Sequence, residues 1–173
     1  MLVVELYAIC EPINPGGVGA YAFSIKYEDR ELISGSGVAC VGADCNNVVA
    51  EYHGLIKALE WLVNNGYKDE PIIIRTTNVI MAYQLDGKIR ATKLYEERYR
   101  MAISLLELFG LPIFGSPIKV VDPYEIYVKY MARDAYVEYM DKHPELVEEY
   151  REYLASEEEL NELRKLGLNP QKY

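Results

Sequence analysis

The sequence has few of the residues that stabilise small exported proteins. It contains only 3 cysteines, and the run Met1–Glu5 lacks the basic segment and cleavage site of a signal peptide. An odd cysteine count without an export signal argues against a disulfide framework, so we expect Cys10, Cys40 and Cys45 to be thiols in a cytoplasmic protein. No apolar run of about 18 residues is present, which excludes a membrane-spanning helix.

Basic residues are also scarce. The chain has 18 lysines and arginines against 27 acidic residues, giving a net charge of −9. This balance argues against tight non-specific binding to nucleic acid, because such binding requires many cations to neutralise phosphates. One locally basic stretch begins at Lys88 and continues through Arg90 and Lys93 without an intervening acid.

The spacing of apolar residues predicts an α/β fold. Alternation with a period of two predicts strands over 2–10, 17–27 and 31–39, which the intervening turns join into an antiparallel meander. Further along, three- and four-residue spacing predicts helices, while short apolar runs near 71–75 and 118–121 predict strands of a mixed sheet. The predicted order is β-β-β-α-β-α-α-β-α over residues 1–140. Residues 141–173 are predicted to form an acidic helical extension, which is either a solvated helix or a surface for a protein partner.

Three local motifs give this order a family resemblance. They are the turn Cys-Glu-Pro-Ile-Asn-Pro-Gly-Gly at 10–17, Val-Ala-Glu-Tyr at 49–52, and Tyr-Gln-Leu-Asp-Gly at 83–87. In this order the motifs resemble archaeal-like type 1 ribonucleases H. The resemblance implies a ribonuclease H-like fold with a mixed five-stranded sheet of three antiparallel strands followed by parallel strands. It also implies binding to an RNA–DNA hybrid or to another nucleic acid.

The resemblance further implies a metal site that this sequence lacks in large part. Family members hold two magnesium ions with four carboxylates, because several anionic oxygens must offset the repulsion between the ions. The matching positions are Tyr7, Glu51, Thr77 and Lys129, so one carboxylate remains, with Asp134 as a rival candidate for the last position. The chain is therefore expected to be a degenerate, non-catalytic member that needs no cofactor.

Several expectations about the site follow from the resemblance. We expect Lys129 to pair with Glu51, and the hydroxyls of Tyr7 and Thr77 to complete the hydrogen bonding. Two alternatives stay open. One is an active hybrid-cleaving enzyme that binds Mg or Mn through Glu51, Asp134 and Glu5. The other is a purely structural interaction subunit.

Four residues are candidates for contacting nucleic acid. Asn47 resembles one of the paired asparagines that touch the RNA strand in the family, although capping the first helix is the simpler role. Lys88, Arg90 and Lys93 occupy the place of the substrate-gripping handle of some members, and they either contact phosphates or form a solvated face at the start of a helix.

Overall fold

A five-stranded sheet with the strand order β3-β2-β1-β4-β5 forms the centre of the fold. The computed structural model describes residues 1–113 and 115–173. β1 pairs antiparallel with β2 and parallel with β4, so the sheet is mixed, as the sequence predicts. The strands are β1 (Leu2–Glu11), β2 (Val18–Tyr27), β3 (Arg30–Val41), β4 (Ile72–Thr76) and β5 (Ile118–Val120).

Helices follow the strands in the predicted order. They are α1 (Asn47–Asn64), α2 (Val79–Leu85), α3 (Glu96–Leu106), α4 (Lys129–Lys142), α5 (Pro144–Glu149) and α6 (Glu157–Lys165), with 3-10 turns at Pro123–Glu125 and Arg151–Tyr153. In the described part of the chain, none of them has both the length and the apolar character needed to cross a bilayer. The chain forms a separate 3-10 turn before α4 begins at Lys129, because Asp122 and Glu125 close that turn with reciprocal capping bonds.

The two faces of the sheet are covered by different helices. On β1, Leu2, Val4 and Leu6 belong to a core cluster that includes the buried face of α1. The next residue, Tyr7, packs instead in a cluster that contains Ala132 of α4. Because successive side chains of a strand point to opposite faces, α1 and α4 lie on opposite sides of the sheet.

Helix α1 is anchored at its first residues by two asparagines. Asn46 is the N-cap, and its side chain accepts a hydrogen bond from the Val49 N–H at 2.8 Å. Asn47, which we expected to be the cap, is the first helical residue and pairs with the side chain of Asn14 at 3.1 Å. The predicted cap was one residue too late, because Asn46 and Asn47 both have the side chain that is preferred at an N-cap.

The chain beyond α4 packs against the turn between β1 and β2. Tyr150 is buried, and its hydroxyl donates to the Gly16 carbonyl at 2.8 Å. Leu160 of α6 is also buried. Arg133 of α4 pairs with Glu11 and donates to the Tyr173 carbonyl. These contacts join the C-terminal helices to the end of β1.

The expectation that all three cysteines are free thiols was wrong. Cys40 of β3 and Cys45 form a disulfide, and Cys10 is a buried free cysteine. Gly19 lies between Cys10 and Cys40 in the register of the first three strands. Because Gly19 has no side chain, the sulfur atoms of Cys40 and Cys45 have room beside it. The number of cysteines in a sequence does not reveal such room.

This packing gives the first prediction. A Cβ atom at Gly19 would lie 2.6 Å from both the Cys40 and the Cys45 sulfur atoms. We expect Gly19→Ala to destabilise the oxidised protein by about 1–3 kcal/mol, because overpacking in a closed site forces its neighbours to move. Urea unfolding measures this change, and in a Cys40→Ala/Cys45→Ala background the cost should fall. An equal cost in both backgrounds would contradict the account.

Candidate functional site

Glu51 is a buried carboxyl group on the inner face of α1. It is 2% exposed, and the helix on which it lies packs against β1 and β2. Its Oε1 atom has no hydrogen-bond partner within the described residues. Burial raises the pKa of Glu51 to about 8, and hydrogen bonding from Thr76 and Asn78 offsets only part of that increase. Glu51 is therefore largely protonated at neutral pH.

The neighbours of Glu51 are neutral donors. Thr76 ends β4, and its hydroxyl oxygen accepts the Asn78 N–H at 3.0 Å. Asn78 caps α2 by accepting the Met81 N–H at 3.0 Å. Each side chain thus uses an oxygen as an acceptor within the β4–α2 turn, which leaves the threonine O–H and the asparagine amide to face the carboxyl group. The turn supplies hydrogen bonds to Glu51 but no positive charge.

These contacts correct the expected roles of Tyr7 and Thr77. Thr76 is fully buried and continues the inward-facing series of Ile72 and Ile74, whereas Thr77 is only half-buried and follows the strand. The hydroxyls beside Glu51 were therefore assigned to the wrong residues. Tyr7 packs near α4 on the other face of the sheet, so an aromatic ring fills the position at which the family resemblance places an aspartate.

The expected ion pair between Lys129 and Glu51 is also absent. Lys129 is the first residue of α4, but its side chain is exposed and its Nζ lies 5.4 Å from the centre of the Tyr124 ring. The inward positions near the start of this helix belong to Val128 and Ala132, which are buried. The packing of these apolar side chains turns Lys129 outward.

The two other acidic candidates do not join Glu51. Asp134 lies on the exposed side of α4. Glu5 is 7% exposed, and its Oε1 accepts the Tyr127 N–H at 2.6 Å, which fixes the segment before α4. Within residues 1–113 and 115–173, no three His, Cys, Asp or Glu side chains form a group able to hold a metal ion. The residues at the matched positions do not fit a two-magnesium site.

The basic candidates lie in the connection between α2 and α3. Lys88, Arg90 and Lys93 are exposed, and none of them forms an ion pair with another described residue. Lys88 lies over the ring of Tyr83, with its Nζ 5.0 Å from the ring centre. The Asn46 side chain donates to the Tyr95 hydroxyl at 2.8 Å, which joins the end of this connection to the start of α1. The three cations are therefore open to an anionic ligand, whereas Asn47 is half-buried and engaged with Asn14.

Sequence reasoning missed Thr76 and Asn78 as the neighbours of Glu51. A signal was present, because Ile72, Ile74 and Thr76 alternate along one strand and share one face. Extending that alternation past the strand end identifies Asn78 as the next inward residue, which its burial confirms.

The protonation of Glu51 gives a prediction about stability. Its pKa is about 8 in the folded protein against an ordinary value of 4.5. A raised pKa contributes stability that is present in full below pH 4.5 and is lost as the pH rises to about 8. Glu51→Gln keeps a neutral amide in place of the protonated acid, so relative to the wild type it should gain on the order of a few kcal/mol between pH 5 and pH 8.5.

Urea unfolding at a series of pH values measures this gain. Glu60→Gln is the matched control, because Glu60 lies on the same helix and is exposed. An exposed carboxyl group keeps its hydration on folding, so this variant measures the effect of removing one surface charge from the same helix. If the Glu51 variant gains no more stability with pH than the Glu60 variant, Glu51 is ionised at neutral pH and the account of its burial is wrong.

Comparison with known proteins identifies the fold. No protein-family model matches the chain. An N-terminal ribonuclease H domain from Mycobacterium tuberculosis matches with a TM-score of 0.63 and 22% identity over 78% of this chain and 91% of that one. The ribonuclease H1 of Halobacterium salinarum matches with a TM-score of 0.64 and 20% identity, covering 79% of this chain and 98% of that chain.

A third similar structure contains a bound nucleic acid. It is the LC11 ribonuclease H1, isolated from compost by a metagenomic approach and solved in complex with an RNA/DNA hybrid. The match has a TM-score of 0.60 and 16% identity, and it covers 76% of this chain and 93% of that chain. These likenesses agree with the sheet order and the helix placement described above, and the chain has a ribonuclease H-like fold.

Proposed function

We propose that this chain is a non-catalytic ribonuclease H-like protein that binds RNA–DNA hybrids. The observation that carries the proposal is the isolation of Glu51, a buried carboxyl group with raised pKa and only neutral donors beside it. Tyr7, Thr77 and Lys129 stand at the other matched positions. Together these four residues supply at most one negative charge, and they supply little of it at neutral pH.

The chemistry of phosphodiester hydrolysis supports the non-catalytic part. Two divalent ions repel each other strongly, and a protein must offset this repulsion with several hard anionic oxygens. A protonated Glu51 offers no such charge, and converting it to the carboxylate costs free energy because the group is buried. The four residues therefore lack the charge that hydrolysis by two metal ions requires.

The exposed cations support the binding part. Lys88, Arg90 and Lys93 present three positive charges from one connection, and a phosphate backbone is the ligand that such a series fits. One of the similar structures was solved with an RNA/DNA hybrid bound. Since the net charge is −9, the affinity should be modest and should depend strongly on salt.

A cleavage assay tests the catalytic half of the proposal. Labelled RNA–DNA hybrid is incubated with the wild type and with Glu51→Gln, in magnesium and separately in manganese. We expect no cleavage above the background of the variant preparation. Cleavage that Glu51→Gln abolishes would establish the alternative, an active enzyme with an altered ligand set. Neither of the other ligands of that alternative lies beside Glu51, since Asp134 is exposed and Glu5 accepts the Tyr127 N–H.

A salt titration tests the binding half. Lys88→Gln/Arg90→Gln/Lys93→Gln should weaken hybrid binding, measured by fluorescence anisotropy, by roughly 10-fold or more at moderate salt. Its slope of log affinity against log salt should be shallower by about 2–3, because each lost phosphate contact removes about 0.9 from the slope.

The matched control removes three cations elsewhere. Lys26, Arg30 and Lys68 are exposed and lie in or beside the β2–β3 turn and after the end of α1. Their substitution by glutamine changes the net charge equally and should leave most of the affinity intact. Equal losses in the two triple variants would mean that only the overall charge matters. Absence of any hybrid binding would favour the alternative of a structural interaction subunit, in which the C-terminal helices contact a protein partner.

A further inference from the structure

A group of exposed tyrosines lies in the segment from the end of β5 to the first turn of α4. Tyr124, Tyr127 and Tyr130 are 86%, 74% and 63% exposed, which makes them the most exposed tyrosines in the described part of the chain. Aromatic side chains of this size usually bury much of their surface, so a cluster of exposed rings indicates a surface used for binding. Neither Glu51 nor the basic connection after α2 involves these rings.

The segment that bears the first two rings is held firmly. Asp122 accepts the Tyr124 N–H at 3.0 Å, and Glu125 accepts the Asp122 N–H at 3.2 Å. Glu5 accepts the Tyr127 N–H at 2.6 Å. Ile126, between the two tyrosines, is 1% exposed and fills the inward position. The backbone therefore fixes the outward direction of Tyr124 and Tyr127, and a ligand would not have to order the segment first.

Positive charge accompanies the rings. The Lys129 Nζ lies 5.4 Å from the centre of the Tyr124 ring. Lys119 is exposed on β5 and pairs in register with Arg75, whose guanidinium lies 3.8 Å from a Glu125 carboxylate oxygen. Lys119 therefore leaves the sheet on the same face as that ion pair.

The nearby carboxylates are already engaged. Asp122 and Glu125 cap the 3-10 turn, and Glu125 also pairs with Arg75. Lys129 forms no ion pair with any described residue, so its charge remains available beside the Tyr124 ring, whereas the Lys119 Nζ lies near Gly115 in the loop before β5. The surface combines aromatic faces with an ammonium group that has no carboxylate partner among the described residues.

We infer that the surface of Tyr124, Tyr127, Lys129 and Tyr130, here called the tyrosine surface, binds an unpaired nucleic-acid strand. Bases that are not stacked in a duplex can stack on the rings, and the Lys129 ammonium group can contact a phosphate. A strand that offers both phosphates and free bases complements a cation beside exposed rings, which is why we commit to this ligand. This inference goes beyond the proposed binding of duplex hybrid, and the experiment below separates the two.

Two probes of equal phosphate content test the inference. One is a labelled oligothymidylate of about twelve nucleotides, and the other is an abasic strand of the same length. We expect the wild type to bind the oligothymidylate roughly 10-fold or more tightly than the abasic strand in fluorescence anisotropy, because stacking on an aromatic side chain requires a base. Equal binding of both probes, or binding of neither, overturns the inference.

Variants locate the effect. Tyr124→Ala/Tyr130→Ala should weaken oligothymidylate binding by about 10- to 100-fold and leave abasic-strand binding unchanged. Tyr124→Phe/Tyr130→Phe keeps the rings and should keep the affinity. Tyr153→Ala is the matched control, since Tyr153 is 50% exposed in the C-terminal 3-10 turn. An alanine double variant that binds oligothymidylate as the wild type does also overturns the inference.

The two proposals fail separately. Loss of the rings should not change hybrid binding, and loss of the cations at Lys88, Arg90 and Lys93 should not change the preference for the oligothymidylate over the abasic strand. A protein that binds hybrid without that preference keeps the proposed function and loses the tyrosine surface as a strand-binding site. A protein that prefers the oligothymidylate to the abasic strand but does not bind hybrid keeps the tyrosine surface and loses the proposed function.

Discussion

The packing of α1 against the sheet places a carboxyl group inside the protein with no cation beside it. A buried carboxylate without a counter-charge is costly, so the group retains its proton instead. For Glu51 this outcome follows from its 2% exposure and from the neutral side chains of Thr76 and Asn78. The same burial that stabilises the α1 face of the core therefore removes the negative charge that a metal site at this position would need.

The sequence predicted the framework well because the framework depends on periodicity. The alternation along β1 and the helical spacing of α1 identify which residues face inward without knowledge of distant partners. The start of α4 shows a feature that periodicity alone does not predict. The family resemblance matches Lys129 to an aspartate near the start of this helix, but the direction of the Lys129 side chain depends on the burial of Val128 and Ala132 against the sheet.

The disulfide and the neighbours of Glu51 were harder to predict for a related reason. Cys40 and Cys45 have a sequence separation of 5, but their sulfur atoms fit together there because Gly19 on the adjacent strand leaves room for both. Likewise, Thr76 and Asn78 reach Glu51 only because the turn after β4 brings them opposite α1. Contacts between elements that are distant in sequence require the assembled sheet. The spacing of residues within one helix or strand does not predict such contacts.

The disulfide also limits how the sheet can open. β3 pairs only with β2 in the described sheet, so it is an edge strand, and local unfolding can start at such an edge. Cys40 near its end is linked covalently to Cys45, directly before the Asn46 cap of α1, and the turn at 28–29 joins its beginning to β2. The disulfide therefore ties this edge strand to the helix that bears Glu51, so the Cys40 end of the strand cannot leave the sheet without disturbing the start of α1.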